Sequence, residues 1–247
     1  PLCAALLGSG CVTRTVYVVD DRDDAPVPAS ARATASAEPP PRYEDDAGIR
    51  RAEDFYEPLS PYGRWVSTPA YGMVFVPSAA VVGAGFRPYT HGHWVNTEWG
   101  WTWVDTAPWG FAPYYYGRWV WWGNRWAWAP GARVARPVYA PAMVAFVGGA
   151  NWSAAVSSSG PAVAWVPLGW REPYIPWYRH SPNYVRNVNV THVTNVNVIH
   201  QYTNVRNVTH IRYVNRDVPS GTTVVARDTF VRARHVHEAH LNVPARA

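Results

Sequence analysis

FAPYYYGRWVWWGNRWAWA, residues 111–129, decides how this chain reads, because a counterpart lies 25 residues upstream. Placed over FRPYTHGHWVNTEWGWTWV (86–104), it matches Phe111 with Phe86, Pro113 with Pro88, Tyr114 with Tyr89, Gly117 with Gly92 and Trp119 with Trp94. Trp126 and Trp128 then fall on Trp101 and Trp103 without a gap. A weaker copy, PYGRWVSTPAYGMVFVP (61–77), aligns Trp65 with Trp94 and Trp119, and sets Met73 and Phe75 on the second pair if its loop holds one extra residue. Self-similarity at a fixed period marks a repeat architecture.

Each unit reads as a β-hairpin: a short strand (HWV, RWV), a polar or glycine-containing turn, and a second strand with aromatics at every other position (WTWV, WAWA). Proline at 77, 108 and 130 ends the unit and rules out a continuous helix. A lone hairpin is only marginally stable in water, so the units are expected to pair or stack around a shared tryptophan-lined interior. The repeat-matched rings are therefore framework.

Other aromatics have no counterpart. Trp121 and Trp122 align with Asn96 and Thr97, Tyr115 with Thr90, Tyr116 with His91, and Trp109 with Ala84. Rings that the repeat does not require are the candidates for a surface task, since indole and phenol faces stack on sugars while arginine forks hydrogen-bond their substituents. The candidate ligand-binding set is Trp109, Tyr115, Tyr116, Arg118, Trp121 and Trp122.

Outward from the repeats, IRRAEDFYEPL (49–59) fits a short helix with Ile49, Phe55 and Leu59 as its apolar contacts, and MVAFVGG (143–149) and AVAWVPLGW (162–170) read as two further strands. Beyond residue 179 a near-repeat, NVNVTHVT then NVNVIHQY, alternates valine with polar residues. This pattern predicts extended strands, and the β-branched run disfavours a helix. The expected fold class is all-β: tandem Trp-rich hairpin repeats over 49–178, then an Asn/Val-rich β extension and basic tail over 179–247.

The first residues point to export. PLCAALLGSGCV is an apolar run ending in small residues, the shape of a signal h-region and cleavage site, and is too short to span a bilayer. LLGSGC resembles a bacterial lipobox with Gly8 where leucine is usual, which makes 1–11 a signal remnant and Cys11 the expected lipidation site. The other cysteine is Cys3, so a chain starting at Cys11 has neither a disulfide nor a cysteine metal site. Residues 12–48, rich in Ala, Pro and acid, cannot bury enough surface to order themselves and read as a disordered linker. Residues 12–60 carry six arginines against eleven acids, whereas 61–247 carry sixteen against six. All 22 basic residues are arginine, which reads as genome composition rather than function.

Six carboxylates follow residue 60, Glu98, Asp105, Glu172, Asp217, Asp228 and Glu238, and no two are close in sequence. Nucleophile-elbow, phosphate-loop and HExxH motifs are absent. His235, His237 and His240 in HVHEAH read as polar surface in preference to a metal site. No enzyme activity, cofactor or metal is expected. A basic, aromatic body also suits nucleic acid, but export argues against that partner and leaves anionic envelope polymers.

FYEPLSPYGRWV, RPYTHGHWVNTEWGWTWV, APYYYGRWV, AWVPLGW, EPYIPWYRHSPNYVRNVNVTHVTNVNV and TVVARDTFV together resemble a bacterial family defined only as a domain of unknown function. The resemblance covers about 53–233. It implies Trp/Tyr/Gly-rich exported proteins, some following a FecR-type domain, with no assigned catalytic residue to carry over. This chain has a lipobox-like start and a linker in place of a FecR-type domain.

The sequence thus predicts a non-enzymatic lipoprotein of the cell envelope, periplasmic or at the outer membrane, held to the membrane through lipid on Cys11. It would act as a structural or adhesive β-repeat module. The alternative is a glycan-binding module for peptidoglycan or exopolysaccharide that uses exposed Trp and Tyr.

Overall fold

The computed structural model describes residues 49–97, 99–131, 136–147, 162–176, 180–193 and 212–241. Cys11, the signal remnant and the linker lie outside the described residues, as does the second half of the Asn/Val near-repeat.

Among the described residues nine strands form three antiparallel sheets. β1 (Gly63–Thr68), β2 (Gly72–Pro77), β5 (Arg118–Trp122) and β6 (Arg125–Ala129) make one sheet in the order β1-β2-β6-β5. β3 (Gly92–Thr97) and β4 (Gly100–Asp105) make a separate pair. β7 (Val144–Phe146), β8 (Ala162–Pro167) and β9 (Thr223–Ala226) make the third sheet. The helices are short: α1 (Tyr56–Leu59), α2 (Ala79–Val82), α3 (Pro182–Asn189), α4 (Arg227–Val231) and α5 (Val236–Ala239). Among the described residues no helix is long and apolar enough to cross a membrane.

All three expected hairpins form, and the turns of the first and third have chemistry that suits their loops. β5 and β6 are joined by Gly123 and Asn124 at φ 57° and 59°. Two successive residues of positive φ make the tight turn whose twist matches the flanking strands. In the first hairpin the Thr68 hydroxyl accepts from Tyr71 N at 3.1 Å and donates to Gly72 O at 3.0 Å, closing the longer loop over 69–71. Cross-strand registers agree between hairpins: Trp65 faces Phe75, Trp94 faces Trp103 and Trp119 faces Trp128. Phe75 also pairs with Trp128 across β2 and β6. Trp65, Phe75, Trp128 and Trp119 therefore form one row across the four-stranded sheet.

The first and third hairpins thus share a sheet while the second stands apart and meets them through side chains. Trp94 packs on Trp165 of β8 at 5.4 Å, and Trp103 lies 5.6 Å from Tyr89 and 6.3 Å from Tyr114. Ile49, Phe55 and Leu59 close the core from the N-terminal side, as the helix pattern at 49–59 predicts.

The Asn/Val segment departs from expectation. Residues 182–189 are helical, not extended, because Ser181 caps the helix by accepting from Tyr184 N at 3.2 Å and Pro182 occupies its first turn. Val185, Val188 and Asn189 then share the buried face. β9 pairs with β8 along Ala162–Ala226 to Trp165–Thr223, so the stretch read as an extension supplies a strand to the same core.

Candidate functional site

Neighbours on a strand point to opposite faces. Trp121 turns toward the main aromatic core and meets Trp126 edge-on at 5.5 Å, whereas Trp122 lies on the other face with Val66, Tyr71 and Trp170 around a Val/Ala cluster. Both are half-buried. Their adjacency in sequence therefore separates them in space, and they do not form one stacking platform.

The expectation that the unmatched rings are exposed is overturned for Trp109, Tyr115 and Tyr116, and the accompanying Arg118 is fully buried as well. Trp109 sits in the turn Pro108–Phe111, 5.7 Å from Tyr114, 5.9 Å from Phe86, 6.2 Å from Phe75 and 6.4 Å from Trp119. It covers the sheet on which Trp119 and Phe75 lie. The Tyr115 hydroxyl donates to Trp103 O at 2.7 Å, and its ring stacks on Tyr139 at 5.2 Å. Tyr116 lies 5.3 Å from Phe55, and its carbonyl accepts the Trp128 indole N–H at 2.8 Å. A large ring with a polar tip is useful in a core only if that tip finds a partner, and here the Tyr115 hydroxyl finds the Trp103 carbonyl and the Trp128 indole N–H the Tyr116 carbonyl.

Arg118 is the centre of a buried polar network. Its Nε donates to Glu172 O at 2.8 Å, Nη1 to Gly117 O at 2.8 Å and to Met143 Sδ at 3.3 Å, and Nη2 to Asn189 Oδ1 at 3.0 Å. Asn189 in turn accepts from Tyr174 N at 2.6 Å and donates to Tyr174 O and Val185 O. No carboxylate among the described residues is ion-paired with the guanidinium. Burial lowers its pKa to about 10, so it remains a cation at neutral pH. The Glu172 carboxylate accepts from Gly169 N at 2.6 Å and Val214 N at 2.5 Å, and burial pushes it up to about 7. Asn215 adds a parallel tie, donating to Trp119 O at 2.8 Å and Pro167 O at 3.0 Å. These groups join β5 to the third sheet and α3, and none of them points to bulk water.

A second polar knot surrounds Asp105. Its oxygens accept from Trp103 Nε1 at 3.0 Å and Ala107 N at 2.8 Å, and the Tyr114 hydroxyl also bonds to it. Burial raises its pKa to about 7 in spite of these donors. His192 is buried beside Trp170, at 5.5 Å, with Nδ1 against Thr191 Oγ1 at 2.8 Å; burial holds its pKa well below the usual histidine value. A carboxyl that titrates near neutrality is a common mark of a reactive site, but Trp103, Ala107 and Tyr114, which bond to Asp105, belong to the framework.

Glu172, Asn189, Asn215 and His192 were not singled out as a group by sequence. They are scattered over 44 positions, and only their convergence on β5 and β6 reveals them. Trp99, at the tip of the second hairpin, is the tryptophan among the exposed large apolar residues, at 39%. Among the described residues no three His, Cys, Asp or Glu side chains converge in a metal-holding arrangement.

No curated protein and no solved structure matches the chain. Residues 56–172, which hold the three hairpins, the Arg118 strand and Glu172, match the model of a family described as "Family of unknown function (DUF6600)", so over that span this chain is similar to a family of uncharacterised domains.

Proposed function

We propose that this chain is a non-enzymatic structural or adhesive module of a bacterial cell envelope, carried on lipid at Cys11. The observation that supports this reading best is the use of its polar and aromatic groups. Trp109, Tyr115, Tyr116, Arg118 and Glu172 are buried and engaged with the framework, and half-buried Asp105, the other carboxyl with a neutral-range pKa, is hydrogen-bonded to it as well. The three hairpins are copies of one unit, a reading supported by the shared register of Trp94 with Trp103 and Trp119 with Trp128. Duplication of a hairpin that cannot bury its own rings yields an interlocking core, the property a passive module needs.

The glycan-binding alternative rests on fewer residues than the sequence suggested. Trp121 and Trp122 are half-buried on opposite faces and Trp99 is exposed at a hairpin tip. Titration of the purified protein with peptidoglycan fragments and exopolysaccharide, followed by tryptophan fluorescence, separates the two. The module reading expects no saturable change, and a saturable shift lost in Trp99→Ala or Trp122→Ala would replace it with the glycan reading. For the anchor, Cys11→Ala is expected to move the protein from the membrane to the soluble fraction; an unchanged membrane fraction would refute lipidation there.

A further inference from the structure

Histidine pairs face each other across the seam between β3 and the C-terminal helices. His91, just before β3, and His93 within it are two residues apart, and both rings face the C-terminal segment. His235 is the residue before α5 and His237 lies within it. The His91 and His237 rings are 5.0 Å apart, and the His93 and His235 rings 5.3 Å apart. Two like pairs in register across one seam differ from scattered surface histidines, because each imidazole faces another across it.

The segment they hold covers the aromatic core. Phe230 of α4 lies 4.4 Å from Trp101, 5.4 Å from Trp94 and 5.7 Å from Phe146, and Val236 of α5 is buried. Beyond α5 the strand is pinned by a bridge between His240 and Val225 and by Leu241 N donating to Val224 O at 2.8 Å. The 227–241 arm is thus a flap attached at β9.

The charges around the seam offer the imidazoles no counter-ion. From β4, Asp105 is opposite Gly92, with its oxygens taken by Trp103 Nε1 and Ala107 N. From α4, Asp228 is held by Arg232 at 2.5 Å, and Arg234 reaches it at 3.1 Å. From the stretch before β3, Arg87 adds positive charge near His91. From α5 comes Glu238, and just beyond it His240, with Nδ1 against His237 O. Among the described residues no carboxylate is ion-paired with any of the four. His93 Nδ1 is buried with no hydrogen-bond partner.

We propose that the two facing pairs form a proton-operated clasp: neutral imidazoles hold the 227–241 arm on β3, and protonation in mildly acid solution drives the arm off, uncovering Trp94 and Trp101. Burial and, second, the opposing imidazole lower the pKa of both His91 and His93. A group that takes up its proton more readily when released favours release as pH falls, so the docked arm is kept above the ordinary histidine value of about 6.5 and lost below it.

Hydrogen exchange of the full chain, corrected for the intrinsic pH dependence of the chemistry, tests this at about pH 7.5 and about pH 5. His235 and His237 are exposed, so His235→Gln with His237→Gln preserves the packing of Phe230 and Val236. Protection of the 227–241 amides is expected to fall by about tenfold or more on acidification in the natural chain and by less than about twofold in the variant that also carries His91→Gln and His93→Gln, because the burial that lowers those two pKa values persists without His235 and His237. The matching double arginine substitution is expected to free the arm at both pH values. Equal loss in the natural chain and the glutamine variant, no loss in either, or loss shared in full by the amides of β5 and β6, would overturn the clasp.

Discussion

Arg118 and Asn189 meet at 3.0 Å through Nη2 and Oδ1, although 71 residues separate them in sequence. The contact fixes β5 to α3 in the interior, where an unpaired donor or acceptor cannot turn to water. Arg118→Met leaves Glu172 O, Gly117 O and part of Asn189 without donors, and the loss is expected at about 3–5 kcal/mol, the range for breaking a buried charged network. Asn189→Ala is expected to cost about 2–4 kcal/mol, and the double variant less than the sum because the partners are shared. Urea unfolding of the four proteins measures this; additive losses would contradict a single network.

Gly117 and Gly123 both have positive φ, at 65° and 57°, yet they are constrained differently. A Cβ at Gly117 would run into Ala129 O and lie 2.5 Å from Trp128 Nε1, whereas one at Gly123 meets nothing within 4 Å. Gly123→Ala is expected to cost about 1 kcal/mol, the backbone penalty alone. Gly117→Ala must also displace a core indole and is expected to cost about 3 kcal/mol or more. Equal thermal shifts for the two would contradict the close approach at Gly117.

Glu172 has a folded pKa of about 7, raised by burial above the ordinary carboxylate value. The folded state then binds its proton more tightly than the unfolded chain. The resulting stability is fully present below the unfolded pKa and is lost as pH rises through about 7. Glu172→Gln removes that dependence, so the variant is expected to be weaker relative to the natural chain at about pH 5 than at about pH 8, by on the order of 3 kcal/mol of pH-dependent difference. Denaturant unfolding at the two pH values checks the sign, and a larger penalty at the higher pH would refute it.

His192 acts in the opposite sense. Its pKa is held well below the usual value by burial, so its contribution is present above the unfolded value and lost as pH falls toward the folded one. His192→Gln is expected to flatten the decline in stability below about pH 6. An unchanged acid limb in urea unfolding would show that His192 does not titrate on unfolding.

The hairpins were legible because their information is local: alternation, Gly-Asn or threonine-closed turns, and a 25-residue offset that superimposes Trp94 on Trp119. The same comparison misread Tyr115 and Trp109. A residue absent from one copy need not be free for a surface, because the two hairpins occupy different sheets and the space between them must be filled by unlike side chains. Trp121 and Trp122 were separable from the two-residue pleat alone. The helix at 182–189 had its signal in Ser181-Pro182, which local capping chemistry sets against the valine alternation. Glu172, Asn189 and Asn215 left no such mark, since a buried polar network is defined by long-range convergence.

The central claim is that the unmatched aromatics near Arg118 are framework, and Trp109 set against Trp122 tests it most directly. Unfolding free energies of Trp109→Ala and Trp122→Ala in urea are expected to fall by about 3–5 kcal/mol for the buried ring and by about 1 kcal/mol for the half-buried one. A Trp109→Ala protein with unchanged stability that had lost binding to an envelope polymer would contradict the account.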